Sequence, residues 1–261
     1  MVYRVTSLFL GKIFEYQHHC LSTFYIMGNR PSRTWDDVPP ERDGWVMSHN
    51  ALRLDMKDLT ECMEIILKES KNTGEPNTTK TAALSRYFTM FVSSLREHHN
   101  GEENVFFPGI TKRVQLPPKI SADHTALMAQ LDEVVSVVRG LSTVQGLEFT
   151  AALEQALPRF ATFRQMTEEH FAEEERDGIP LIRAHFSVEE VRALVREMTS
   201  NMEWYEFPHF LRHLRTMDEK SAWMREVGIP GFVQSFVLLP KCRRFQKEFE
   251  SLIEEIRREA D

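Results

Sequence analysis

The stretch that decides the fold runs from Leu84 to Pro108 and reads L-S-R-Y-F-T-M-F-V-S-S-L-R-E-H-H-N-G-E-E-N-V-F-F-P. At a seven-residue period, one row of this stretch is apolar except for a histidine and a carboxylate: Leu84, Phe88, Phe91, Leu95, His98, Glu102 and Val105. The neighbouring row is mostly polar and includes Ser85, Arg96, His99 and Glu103. Because a helix buries its apolar row, His98 and Glu102 are predicted to enter the core together, one turn apart.

A buried imidazole and carboxylate are costly unless they are paired or bind a metal. For His98 and Glu102 alone, a hydrogen-bonded pair explains the pattern as well as a metal does. The same arrangement recurs, however, in a second helical row, which comprises Phe149, Leu153, Ala156, Phe160, Phe163, Thr167, His170 and Glu174. This repetition favours a shared function for the two His-x-x-x-Glu pairs.

Two further core rows each carry one histidine. His49 lies in the row Trp45, His49, Leu52, Met56, Leu59, Met63 and Ile66, and His124 begins the row His124, Met128, Leu131, Val135 and Val138. His49 and His124 lie near the starts of their helices, whereas His98 and His170 lie near the ends of theirs. In an up-down-up-down bundle these positions share one end. Packing alone explains four such histidines poorly.

The chain is therefore expected to be all-α, with an up-down-up-down four-helix bundle over residues 40–186. Residues 1–39 are expected to form an N-terminal arm, and residues 187–261 a C-terminal helical extension packed on the bundle. The motif Ser187-Val188-Glu189-Glu190 predicts a capping box at the start of the fifth helix, and Pro158 is expected to bend the fourth. Gly101, in the second helix, is interpreted either as giving access to the site or as a tolerated interior glycine.

Six side chains are thus predicted to converge as metal ligands: His49, His98, Glu102, His124, His170 and Glu174. Nitrogen and oxygen ligands with two carboxylates able to bridge suit a pair of first-row transition ions, iron above all. The pattern H…HxxxE…H…HxxxE resembles the hemerythrin-like (HHE cation-binding) domain over roughly residues 40–186. The matching residues are His49, the run from His98 to Glu103 with Phe106-Phe107-Pro108, Asp123-His124, and the run from His170 to Glu174.

The resemblance implies that His49 and His98 hold one iron and that His124 and His170 hold the other, with Glu102 and Glu174 bridging. The oxygen-carrying hemerythrins have a fifth histidine one turn after the helix-three histidine, and here that position is Met128. Methionine is apolar and a weak iron ligand beside imidazole. This departure favours reactivity or sensing over reversible oxygen carriage.

The expected function is that of a non-haem di-iron protein that handles iron, oxygen, peroxide or nitric oxide at a His4Glu2 site. Other first-row divalent metals are compatible with the same ligands. The alternative is an iron- or oxygen-sensing or partner-binding helical module without turnover, and a third interpretation is a structural helical protein with another metal or none. No acid–base or nucleophile set is found beyond the ligands, so no catalytic residue is assigned.

Composition and missing motifs exclude several other classes. The formal net charge is −7, with acidic and basic residues interleaved, which argues against a nucleic-acid partner. No apolar run reaches membrane-spanning length. The sequence has no HExxH, Gly-x-Gly or Cys-x-x-Cys motif. Its three widely spaced cysteines predict free thiols and a cytoplasmic location, with an organellar one left open. His209 and His213 are interpreted as surface or packing residues.

Overall fold

The computed structural model describes residues 33–258, and every regular element within that range is a helix or a helical turn. This confirms the all-α class. Most of the predicted N-terminal arm, residues 1–32, lies outside the described range, as does Cys20. Cys62 and Cys242 are buried free thiols, as expected. Among the described helices, none is long and apolar enough to span a membrane.

Four long helices contain the predicted ligands. The helices are α1 (Gly44–Thr73), α2 (Thr78–Gly101, continued by a π-helical turn Glu102–Phe106 and Phe107–Ile110), α3 (Pro118–Gly140) and α4 (Gly146–Glu173, continued by a π-helical turn Glu174–Gly178 and Ile179–His185). Helix α1 packs against α2 and α4, and α3 packs against the same two helices, so each long helix contacts two others.

Short polar residues begin these helices where the sequence changes from loop to apolar periodicity. Asp43 accepts a hydrogen bond from the Trp45 backbone N–H at the start of α1, and Asn77 accepts one from Lys80 at the start of α2. Both are N-caps that satisfy otherwise unpaired backbone donors. Helix α1 ends at Gly74, whose φ of 79° lies in the left-handed region that favours glycine.

Each His-x-x-x-Glu motif runs into a π-helical turn that begins at its glutamate. The carbonyl of Glu102 accepts from the N–H of Phe107, and the carbonyl of Glu174 accepts from that of Ile179, five residues later in both cases. A proline follows each turn, at position 108 or 180. Proline donates no hydrogen bond and its ring collides with the carbonyl four residues earlier, which favours the wider turn. By contrast, Pro158 lies inside the unbroken α-helical part of α4.

The C-terminal extension comprises four further helices. They are α5 (Val188–Met198), α6 (Glu206–Phe210), α7 (Met217–Glu226) and α8, which joins Gly231–Val233, Leu239–Phe245 and Ser251–Arg257 through the π-helical turns Gln234–Leu238 and Gln246–Glu250. The predicted capping box is confirmed, since Ser187 and Glu190 bond each other's backbone N–H. The last segment of α8 packs on α1 and α2 and buries its apolar residues in the same core. The domain boundaries at residues 40 and 187 stay a prediction.

A buried charge network joins the extension to α1. Asp55 is fully buried and accepts hydrogen bonds from Tyr87 on α2 and from His209 and Arg212 of the extension. Arg212 also donates to Asp58. His209 therefore has a packing role, in a buried ion pair. We name these five residues the Asp55 network.

Candidate metal centre

The structure brings all six predicted ligand residues together between the four long helices. His49 comes from α1, His98 and Glu102 from α2, His124 from α3, and His170 and Glu174 from α4. Five of them are no more than 4% exposed, and the side chain of His98 is 7% exposed. Such burial of imidazoles and carboxylates requires partners of matching chemistry.

Both carboxylates lie between histidines of different helices. Glu102 places Oε1 3.3 Å from Nε2 of His98 and Oε2 3.5 Å from Nε2 of His124. Glu174 places Oε2 3.2 Å from Nε2 of His49, and Oε1 3.2 Å from Nε2 of His170 and 3.5 Å from Nε2 of His124. Each carboxylate thus presents its two oxygens to two different sets of imidazoles.

The inward-facing atoms of this cluster are buried and unpaired. Within residues 33–258, no hydrogen bond is made by Nε2 of any of the four histidines, by Oε2 of Glu102 or by either side-chain oxygen of Glu174. Buried polar atoms are normally satisfied. Converging imidazole nitrogens and carboxylate oxygens form the donor set that binds first-row cations, so the residues present fit a metal centre.

His99 also belongs to this cluster, although it lies in the mostly polar row of α2 and was not among the predicted ligands. The residue is 2% exposed, and neither ring nitrogen has a hydrogen-bond partner among the described residues. Its ring centroid lies 4.3 Å from that of His124 and 5.6 Å from that of His170. Helix α2 contacts α1, α3 and α8, so more than one of its rows is buried. In the sequence, the signal for this position of His99 was that it directly follows the predicted ligand His98.

The potential donor atoms form two groups. One contains His99, His124 and His170, and the other contains His49, His98, Glu102 and Glu174; within each group the donor atoms lie within 4.8 Å of one another. The distances from Glu102 and Glu174 to His124 connect the two groups. Two cations, each with its own histidines and with shared carboxylates, would match this division.

The second glutamate of each Glu-Glu pair orients a histidine from another helix. Nδ1 of His124 lies 2.7 Å from Oε1 of Glu103, and Nδ1 of His49 lies 2.8 Å from Oε1 of Glu175. Arg53 donates to the same oxygen of Glu175 at 2.7 Å. A carboxylate that accepts from Nδ1–H leaves Nε2 as the free, more basic ligand nitrogen. Sequence reasoning had assigned Glu103 and Glu175 no role.

Trp45 of α1 positions the carboxylate of Glu102. Its indole Nε1–H donates to Oε1 of Glu102 at 2.5 Å. The indole packs against Gly178, where an added Cβ would lie 2.8 Å from Cζ3 of the ring. At Gly101 an added Cβ would lie 2.5 Å from Cγ of Met198 in α5. Gly101 therefore permits close approach of the extension, a role that neither sequence interpretation included.

The protonation states of the cluster are set by burial and by mutual contact. Burial raises the pKa of Glu102 well above its usual value, and the nearby Glu174 carboxylate adds to this. Burial also opposes ionisation of Glu174, but interaction with His124, His170 and His49 holds its pKa well below the usual value. Burial lowers the pKa of His98 and His99 well below that of free histidine. Both are therefore neutral near pH 7, the form that ligates metals.

Comparison with known proteins agrees with this geometry. The family model of the hemerythrin HHE cation-binding domain matches residues 42–182, which is more than half of the 261 residues and includes all six predicted ligands. No curated protein and no solved structure gives a match. The chain belongs to the hemerythrin HHE cation-binding domain family.

Proposed function

We propose that the protein is a non-haem di-iron protein that handles iron, oxygen, peroxide or nitric oxide between four helices arranged up-down-up-down. One observation carries the proposal. The oxygens of Glu102 and Glu174 face histidines from different helices, while the inward nitrogens and most of those oxygens make no hydrogen bond within the described residues. The convergence of His49 and His124, early in their helices, with His98 and His170, late in theirs, supports the antiparallel order.

In this proposal each ion has its own histidines. His49 and His98 hold one ion, and His124 and His170 hold the other, with Glu102 and Glu174 bridging. His99 is a third imidazole for the second ion, since its donor atoms group with those of His124 and His170. It compensates for the methionine at position 128. The donor set favours iron, and other first-row divalent ions use the same atoms.

An iron pair would supply one-electron redox chemistry and coordination positions for a small oxygen or nitrogen species. The protein's own residues orient the ligands and exclude water. Phe171 stacks on the His49 ring at 4.0 Å between centroids, and Phe107 stacks on the His124 ring at 5.5 Å. Glu103 and Glu175 hold Nδ1 of their histidines, so that Nε2 points inward.

An iron- or oxygen-sensing module is the second candidate, and one contact favours it. Helix α5 of the extension packs on the π-helical turn that begins at Glu102. Without metal, the buried and unpaired donors destabilise the cluster, so metal binding would be linked to local order. A change in the order of the π-helical turn would alter its packing against α5 of the extension.

Metal analysis and a visible spectrum of the purified protein test the proposal. Two irons per chain are expected, and the double variant His98→Ala, His170→Ala should lose them. His185→Ala, at an exposed histidine, is the matched control and should keep both. Retention of two irons by the double variant would refute the site. Catalytic consumption of oxygen or peroxide would distinguish an enzyme from a sensor, for which iron should change protease resistance with little turnover.

A further inference from the structure

A cavity of about 390 Å³ adjoins the candidate metal centre. His98 and Glu102 line it, together with Trp45 and Ser48 of α1, whereas His99, His124 and His170 do not. Of the six predicted ligands, the cavity thus reaches only His98 and Glu102. Its volume falls within the range of roughly 300–1,000 Å³ that is usual for small-molecule sites.

The extension and the bundle both contribute apolar walls to this cavity. Apolar lining residues come from both parts of the fold and include Leu52 of α1, Ile182 of α4, Val191, Val195 and Met198 of α5, and Phe210 of α6. Walls of this kind favour an apolar ligand, because its transfer from water removes apolar surface from solvent. An oxygen or peroxide molecule alone would need far less space.

Outside the metal centre, three buried donors in the cavity wall have no acceptor among residues 33–258. They are Nη1 of Arg42, Nε of Arg183 and Nε1 of Trp223, and Trp223 is only 2% exposed. Leaving a buried donor unpaired is unfavourable, and more so for a charged group. An acceptor that bears negative charge suits such donors, and a guanidinium pairs with a carboxylate especially well.

The other charged groups that line the cavity leave this preference intact. Arg33 pairs with Glu226, and Nη2 of Arg183 pairs with Asp43. Glu206 accepts a hydrogen bond from Ser94, and burial raises its pKa. Glu97 and Glu203 are exposed, so solvent screens their charge more strongly than that of a buried atom.

We propose that the cavity binds a carboxylate with an apolar chain, its carboxylate at Arg42 and Trp223 and its chain directed toward His98 and Glu102. Arg42 lies seven residues before His49 in the sequence. The helical rise of 1.5 Å per residue applies from Gly44, where α1 begins, and places His49 roughly 8 Å along the helix from that start, which leaves room for the chain between Arg42 and the metal centre. The ligand site is defined by the cavity alone, and its position beside an ion rests on the proposed function.

Calorimetric titration with decanoate, decanol and decylamine tests the ligand class. Decanoate should bind at least tenfold more tightly than the other two, and Arg42→Met should remove that preference. Arg139→Met, at an exposed arginine, is the control and should keep it. If Arg42→Met does not fold, Trp223→Phe removes the indole N–H while keeping an aromatic ring, and should weaken decanoate binding several-fold. Absence of decanoate binding, or equal binding of decanol, overturns the proposal.

Iron content measured on the same samples separates this proposal from the proposed function. Decanoate binding by a protein that takes up no iron would refute the di-iron proposal and leave the ligand site standing. Iron uptake without decanoate binding would do the reverse. In the iron-loaded protein, proton relaxation of bound decanoate should be fastest at the methyl end. Fastest relaxation beside the carboxylate would overturn the assigned orientation.

Discussion

Glu103, on the π-helical turn of α2, accepts a hydrogen bond from Nδ1 of His124 on α3 at 2.7 Å. Glu175 and His49 repeat this relationship between α4 and α1 at 2.8 Å. In both cases the residue just before the accepting glutamate is the inward carboxylate. One Glu-Glu pair thus serves two purposes, since its first member faces the metal centre and its second orients a histidine of another helix.

Replacing the orienting carboxylate is expected to weaken metal binding without removing a ligand. Glu103→Ala should lower metal affinity by about 10- to 100-fold, the effect usual for partners of ligating histidines. Glu103→Gln, which keeps an acceptor oxygen, should lower it less. Competition with a chelator measures both. Glu169→Ala, at an exposed glutamate of α4, is the control, and equal affinities for all three variants would contradict the assigned role.

Removing the imidazole of His99 should lower the affinity of one metal site selectively. In His99→Ala, metal titration should show one site of unchanged affinity and one weakened site, because in the proposed function only the second of two ions uses this residue. A methionine-to-histidine change at position 128 in the same chain would add an imidazole one turn after His124 and should restore the weak site. Two sites of unchanged affinity in His99→Ala would show that His99 is not a ligand.

The two glycines near the centre should differ in their tolerance of a methyl group. Gly178→Ala presses a Cβ against the rigid indole of Trp45, so a loss of about 1–3 kcal/mol in the free energy of unfolding is expected. Gly101→Ala meets only the flexible side chain of Met198 and gains helix propensity of about 1 kcal/mol, so its net change should be smaller. Urea unfolding of the two variants measures the difference. A larger loss in Gly101→Ala would contradict it.

The Asp55 network predicts how stability varies with pH. Burial alone would lower the pKa of His209, but Asp55 raises it above the usual value. The stabilisation from His209 is therefore complete below its unfolded pKa of about 6.5 and is lost as the pH rises through its folded pKa. Burial alone would raise the pKa of Asp55, but His209 and Arg212 lower it. Its stabilisation is present above an unfolded pKa of about 3.9 and is lost as the pH falls through its folded pKa.

The free energy of unfolding should consequently decline on the alkaline side, and His209→Gln should lack the part of this decline that His209 causes. Asp55→Asn leaves His209 and Arg212 buried without their shared carboxylate, and should cost about 3–5 kcal/mol. Urea unfolding between pH 5 and pH 9 measures both effects. An identical pH dependence in the wild type and His209→Gln would rule out this contribution.

The sequence by itself determined the helical rows and the six inward-facing residues. Periodicity is a local property, and a row such as the one that holds Phe163, His170 and Glu174 is buried wherever its helix packs. The family followed from the same residues, because four histidines and two His-x-x-x-Glu spacings are specific. Pro108 and Pro180 are local features of the sequence that favour the wider turns at Glu102 and Glu174.

Only the tertiary structure decided what surrounds those six residues. His99 is buried because its ring packs against His124 of α3 and His170 of α4, and no local pattern in α2 specifies these neighbours. The contacts of Glu103 with His124 and of Glu175 with His49 join residues 21 and 126 positions apart. The cavity is formed where the extension meets the bundle. Helical periodicity sets which side of a helix is apolar, whereas packing between distant segments sets which polar groups meet there.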